Sequence, residues 1–301
     1  MRPLFTEALE PRRLLHGEGV IFTDLREDGV LRVNGFDDSV DPDVLQIFIS
    51  TVEGTRFVNV VLSGLEGGEE PSQIGYQESD VVGVLVNTFQ GDDQIYIAQT
   101  GGSWNLPVTV QAGKGNDTIV SGPGADSLVG GAGNDMIRGG AGADVIIGGD
   151  GNDDLGGGPD DDTILGGFGN DAVLGGAGTD RIFGLSSDGV PLPLGLSDFD
   201  TLAGGAGDDI LGGGPNADIL YGGNDFEGIN SGNDILNGGT GHDTLYGGDG
   251  NDALTGGRGN DGLFGGTGTN SFFAQDGLVD TLTGTAGATT LLFDVGLDTL
   301  S

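Results

Sequence analysis

From Ile119 to Phe272 large apolar residues recur in a fixed rhythm, usually every nine positions. The series runs Ile119, Leu128, Ile137, Ile146, Leu155, Ile164, Val173 and Ile182. It resumes at Leu202, Leu211, Leu220, Leu236, Leu245, Leu254, Leu263 and Phe272, and no polar residue interrupts it. Glycine, asparagine and aspartate fill the intervals. The shared template is G-G-x-G-x-D-x-U-x, with U a large apolar residue, and Gly130-Gly131-Ala132-Gly133-Asn134-Asp135-Met136-Ile137-Arg138 displays it in full. The pattern predicts a six-residue loop followed by a short strand, x-U-x, with only the middle side chain facing inward.

Copies that begin at Gly139, Gly148, Gly166, Gly175, Gly213, Gly238, Gly247 and Gly256 follow the template closely. The repeat resembles the nonapeptide of the RTX, or hemolysin-type, calcium-binding proteins. That resemblance implies an all-β chain: a parallel β-roll, a right-handed β-solenoid in which two nonapeptides make one coil and alternate repeats stack. It also implies multiple Ca²⁺ ions, each between the loops of repeats i and i+2, so that Asp117 would pair with Asp135 and Asp126 with Asp144.

The residue types suit that chemistry. Glycines at the first, second and fourth positions are expected to supply positive φ and close backbone approach. A tight loop turns its carbonyls into one small space, and the sixth-position aspartate adds a carboxylate. Such an all-oxygen site favours Ca²⁺ over transition metals, and over Mg²⁺, which wants a rigid octahedron. The candidate ligands are Asp117, Asp126, Asp135, Asp144, Asp153, Asp162, Asp171, Asp180, Asp200, Asp209, Asp218, Asp234, Asp243, Asp252 and Asp261. With them come Gly131, Gly133, Gly140, Gly142, Gly149, Gly151, Gly167, Gly169, Gly176, Gly178, Gly239, Gly241, Gly248, Gly250, Gly257 and Gly259. A lone copy would read as a turn or a solvated acidic face. Repetition in phase with an unbroken apolar register favours metal.

Four segments are expected: a leader at 1–19, an irregular β region at 20–111, the array at 112–273 and a capping segment at 274–301. Short strands are expected at Leu31–Val33, Gln46–Ser50, Val58–Leu62, Val82–Val86, Gln94–Ala98 and Pro107–Val110. Gly91-Asp92-Asp93-Gln94-Ile95 looks like a degenerate repeat. The region reads as wider, irregular rungs that run into the roll and cap it, with a separate small β-sandwich as the rival. One rung is expected to be lost in the loop Gly67–Gly75. The leader's Leu9–Leu15 resembles the L-E-P-R-x-L-L motif near the N-terminus of some bacterial surface or secreted proteins, which implies sorting. Two insertions, Gly184–Leu194 and Gly222–Gly228, are expected as surface loops. Beyond Phe273 the phase decays: Asn270 replaces the aspartate, and Leu291–Asp294 and Leu297–Leu300 look like closing strands.

Charge sharpens this picture. The chain has 47 acidic and 10 basic residues, a formal net charge of −37, and Lys114 is its single lysine. Stacked aspartate loops repel one another strongly without a counterion. The 65 glycines raise the entropic cost of ordering the chain. Bound Ca²⁺ should therefore supply much of the folding free energy. The charge disfavours nucleic acid and anionic ligands, unless calcium bridges them. Cysteine is absent, which leaves no disulfide scaffold. No apolar run reaches the ~18 residues of a membrane span.

Catalytic motifs are scarce. His16 lies in the leader and His242 at a variable loop position. The chain has no H-E-x-x-H, no G-x-S-x-G and no phosphate-binding loop around Lys114. The expected function is a secreted or surface structural protein, not an enzyme, with glycan or cell-surface components as possible partners. The alternative is a polysaccharide-active enzyme on the N-terminal rungs, with Glu53 or Asp80 gathered beside Arg56 or Arg32.

Overall fold

The computed structural model describes residues 12–16, 19–36, 44–52, 55–62, 72–98, 105–185, 198–223, 232–274, 278–284, 290–293 and 299–300. Their strands form two 14-stranded sheets that face one another across a single core. The fold is an all-β parallel roll with wider rungs at its N-terminal end.

Inside the array, successive template strands alternate between the sheets, and each pairs in parallel with the strand one coil away. Thus Ile119 sits beside Ile137 in one sheet, and Leu128 beside Ile146 in the other. Every apolar residue of the rhythm, from Ile119 to Phe272, is buried, so the core is one side chain thick per strand. The strand residues on either side point outward, as the pleat requires. The step between stacked loops is 18 residues, rises to 29 across the first insertion and is 25 across the second. The added residues therefore leave the stacking intact. Residues 186–197 and 224–231, which hold most of both insertions, lie outside the described residues.

The N-terminal rungs use nine strands: β1 (Arg12–His16), β2 (Gly19–Leu25), β3 (Val30–Phe36), β4 (Val44–Val52), β5 (Thr55–Leu62), β6 (Ser72–Gln77), β7 (Gly83–Gln90), β8 (Gln94–Ala98) and β9 (Val108–Lys114). Strands β9 and β7 continue one sheet in parallel back to β3, and β8 continues the other back to β4. Sheet pairing thus crosses residue 111 without interruption. Beyond β3 and β4 the pairing turns antiparallel, with β1–β2–β3 at the end of one sheet and β4–β5–β6 at the end of the other. The Thr23 hydroxyl and Tyr76 phenol meet at 2.7 Å and tie the two end hairpins together.

All six strands expected before residue 112 are present, with ends shifted by a few residues. Strands β1, β2 and β6 were not expected. Arg12–His16 lies inside the segment taken as leader, and its sequence does not alternate; its backbone is paired by β2, from Arg12 with Thr23 to His16 with Gly19. Strand β6 begins within the expected loop Gly67–Gly75 and is paired by β5. Register supplied by a neighbouring strand is invisible to local periodicity. At the other end, Thr281–Thr283, Thr290–Phe293 and Thr299–Leu300 continue both sheets in parallel. Asp294, Leu297 and Asp298 lie outside the described residues.

Candidate metal centre

The loops stack into two columns, one on each edge of the flattened roll. One column carries Asp117, Asp135, Asp153, Asp171, Asp200, Asp218, Asp243 and Asp261. The other carries Asp126, Asp144, Asp162, Asp180, Asp209, Asp234 and Asp252. All fifteen are buried. Within a column each aspartate is held by the coil before it: the Asp117 N–H donates to Asp135 Oδ1 at 2.8 Å, the Asp135 N–H to Asp153 Oδ1 at 2.8 Å and the Asp126 N–H to Asp144 Oδ1 at 2.8 Å. The same bond crosses both insertions, from Asp171 to Asp200 at 2.9 Å and from Asp209 to Asp234 at 2.9 Å.

The second carboxylate oxygen has a different fate. In Asp117, Asp135, Asp144, Asp153, Asp162, Asp171, Asp180, Asp200, Asp209, Asp218, Asp234, Asp243 and Asp252, Oδ2 is buried with no hydrogen-bond partner. Buried carboxylate oxygens are rarely left without one, so a regular column of them calls for a physical reason. The space beside them supplies it. A Cβ placed on Gly130 would collide with Asp135 Oδ2 and lie 2.9 Å from Gly148 O. A Cβ on Gly148 would collide with Asp153 Oδ2 and lie 2.5 Å from Gly166 O; one on Gly157 would meet Asp162 Oδ2 and lie 2.7 Å from Gly175 O. These glycine-headed loops thus form small cradles, each walled by its own carboxylate and by a carbonyl from the next coil.

This geometry corrects one expectation. The first-position glycines are not at positive φ; they are required because any side chain would fill the cradle. The second and fourth positions do lie there, as at Gly131 (φ 123°) and Gly133 (φ 131°). The other second- and fourth-position candidates, Gly140 to Gly259, share that conformation. Their carbonyls press on the glycines of the next coil, as Gly113 O does on Gly131. The carbonyl beside each Oδ2 belongs instead to a first-position glycine, which sequence reasoning left off the candidates. The residues fit a hard cation: the donors are all oxygen, one charged and one neutral, and they flank a space that holds no side chain. Among the described residues no three His, Cys, Asp or Glu side chains gather into a cluster. A cation here must share backbone carbonyls, as Ca²⁺ readily does.

Electrostatics agree. Burial, and secondarily neighbouring aspartates, push Asp135, Asp144, Asp162, Asp171, Asp209, Asp234 and Asp243 up to about 7, and Asp200 and Asp218 up to about 8. Backbone donors oppose the rise without cancelling it. A bound cation reverses the sign by favouring the ionised form.

The fifth position carries a feature that sequence reasoning missed. The Asn134 N–H donates to Asn116 Oδ1 at 2.8 Å, the Asn152 N–H to Asn134 Oδ1 at 2.8 Å and the Asn170 N–H to Asn152 Oδ1 at 2.8 Å. Exposed His242 joins the same ladder, its Nδ1 accepting from the Asn260 N–H at 2.9 Å. The ladder runs opposite to the aspartate ladder, so each loop is tied to both neighbours. Its signal was available in the repeated Asn-Asp pairs.

Among the residues considered for catalysis, both arginines are held by other carboxylates. Arg32 pairs with Asp28 at 2.7 Å and Arg56 with Glu78 at 2.9 Å. Asp80 is exposed at the end of the short 3₁₀ turn Glu78–Asp80, and Glu53 lies outside the described residues.

Comparison with known families matches the RTX calcium-binding nonapeptide repeat (4 copies) at residues 109–137, 120–155, 129–164, 156–190, 194–226 and 229–263. No curated protein matches the chain. Among the described residues no helix is long and apolar enough to cross a membrane.

Proposed function

We propose, from the premise that the repeats between residues 109 and 263 make this chain an RTX-type calcium-binding repeat protein, that it is an extracellular structural protein of adhesion or matrix type. Its array folds when Ca²⁺ arrives. The repeats bind Ca²⁺ in multiple copies; the finer assignment is that each ion takes Oδ2 of a sixth-position aspartate and a first-position carbonyl from the next coil. The ion supplies positive charge and oxygen coordination; the chain supplies everything that orients it. The aspartate N–H ladder fixes each carboxylate, the glycine keeps the cradle clear, and the buried apolar residue holds the loop closed.

The observation that carries this reading is the column of buried Oδ2 atoms without hydrogen-bond partners, repeated on both edges. Extracellular calcium modules typically bind at ~10⁻⁴–10⁻³ M, far above cytosolic calcium, so the array would stay unfolded before export. The N-terminal L-E-P-R-x-L-L resemblance supports a surface or secreted destination. The test combines calcium titration of the full chain, followed by circular dichroism, with a glycan-array and polysaccharide-turnover screen of the loaded protein. A β spectrum that rises with calcium, together with binding but no turnover, is expected. A spectrum indifferent to EGTA would sink the folding trigger, and product formation would replace the structural role with an enzymatic one.

A further inference from the structure

The column that carries Asp126 to Asp252 is built differently at its two ends. Between them, from Gly139 to Gly247, every loop begins with glycine, and a Cβ there would collide with the loop's own carboxylate. The loop before them begins with Ser121. The Ser121 hydroxyl donates to Asp126 Oδ2, while Asp126 Oδ1 accepts from the Val108 N–H at 2.8 Å. Both oxygens of Asp126 are therefore engaged by the protein, unlike those of Asp144, Asp162, Asp180, Asp209, Asp234 and Asp252.

The loop after the column ends in Asn270. Its Oδ1 takes the aspartate's structural part and accepts from the Asp252 N–H at 2.8 Å. Its Nδ2 can only donate, and does so to Gly265 O at 2.6 Å. A Cβ on Gly265 would lie 2.5 Å from Asn270 Nδ2 and 2.7 Å from Phe272 Cζ. The inward residue elsewhere in the array is leucine, isoleucine or valine; the ring of Phe272 reaches further, into the cradle.

We infer that Ser121 at one end and the pair Asn270 and Phe272 at the other close this column to cations, so that calcium fills only the glycine-headed loops between them. The inference rests on the calcium reading above. A donor hydrogen aimed into the cradle repels a cation and satisfies the oxygen that would bind it. The placement has a structural logic. An end loop adjoins, on one side, a segment whose sequence departs from the template; a hydroxyl or amide completes its hydrogen bonding without an ion. The same ladder bonds are kept, so the ends stay in register without metal.

The test counts calcium bound per full-length chain, by elemental analysis after equilibration in saturating calcium and removal of free ion, with melting temperature read alongside. Ser121→Gly restores the residue found in the neighbouring loops and frees Asp126 Oδ2; it should bind one more ion than the wild type. Asn270→Asp combined with Phe272→Leu should likewise gain one. Asn270→Asp alone should gain none and melt earlier, because the new carboxylate oxygen faces the Phe272 ring. Ser121→Ala should also gain none, since its methyl still fills the cradle. An unchanged count in a Ser121→Gly protein that folds and melts normally overturns the closed-end assignment, as does a gain in Ser121→Ala. A wild type that binds no calcium sinks the metal reading itself.

Discussion

The N-terminal rungs and the nonapeptide array share two sheets but reach stability by different means. Strands β3, β4, β5, β7, β8 and β9 each bury at least two apolar side chains, such as Leu31 with Val33, Ile95 with Ile97 and Val108 with Val110. An array strand buries one large side chain, and its loop buries an aspartate. Burying a Leu or Ile is worth about 1.5–3 kcal/mol, whereas ordering a single backbone residue costs about 1–2 kcal/mol. The wide rungs can approach that balance with apolar area and antiparallel hairpins. The narrow ones cannot, and they add buried negative charge. On the proposed reading, one solenoid joins a cap that can support itself to a segment whose folding answers to an ion.

Chelation should separate the two most sharply. In full-length protein treated with excess EGTA, amides from about 118 to 273 should lose most of their protection against hydrogen exchange, while those of β3, β4, β5 and β7 should keep theirs. Simultaneous loss in both regions would show that the cap has no stability of its own and would end the distinction.

The pH response should be nearly as large, with a sign that depends on the ion. In the metal-free fold Asp117, Asp135, Asp200 and Asp218 are raised from an ordinary value of 3.8 to about 6–8, chiefly by burial. The folded form then binds more protons than the unfolded chain. Its stability is fullest below about 4 and is lost as pH rises through 6–8. Metal-free protein should therefore gain β signal on acidification from pH 8.5 to 4.5. With calcium bound the order reverses, because protons compete for the same oxygens and acidification releases the ion. A metal-free array that is better structured at pH 8.5 than at 4.5 would contradict the buried-carboxylate account.

Single substitutions probe the balance at one rung. Ile146 is buried in the one-residue-thick core, and Asp144 belongs to the loop that precedes it. Ile146→Asp should cost several kcal/mol, because it buries an unpaired charge in the apolar core. Asp144→Ala should weaken one or two cradles among many, since stability in stacked repeats is close to a sum of local terms. Calcium midpoints measured for both should move much further for Ile146→Asp. Equal midpoints would mean that the ion, not the core, sets the rung's stability.

Most of this architecture was legible in the chain because the repeat ties every inward residue and every carboxylate to one phase. Ile119 to Phe272, and Asp117 to Asp261, are read directly from it. Long-range pairing was not legible. Strand β1 is ordered by β2, and β6 by β5, through backbone bonds that leave no periodic mark on Arg12–His16 or Ser72–Gln77. The steric role of Gly130, Gly139 and Gly148 was also hidden, since sequence registers a glycine without saying whether φ or space demands it. Asn270 was seen only as decay, though its amide makes a specific bond to Gly265 O.

The smallest effect should come from the exposed ladder that ties each loop to the coil before it. Asn134 accepts from the Asn152 N–H and donates its own N–H to Asn116 Oδ1, both at 2.8 Å. Asn134→Ala removes the acceptor but leaves the backbone donor, so one N–H loses its partner on a surface where water can replace it. A net hydrogen bond is worth about 0.5–1.5 kcal/mol, and exposure places this one near the lower end. The substitution also removes no cradle oxygen, so the bound calcium count should not change. A small fall in the melting temperature of the calcium-loaded protein, with the same number of ions, is the expected result. A loss as large as that of Asp144→Ala would mean that the fifth position positions the carboxylate column. The array would then depend on two ladders equally, and its contrast with the N-terminal rungs would no longer rest on buried charge alone.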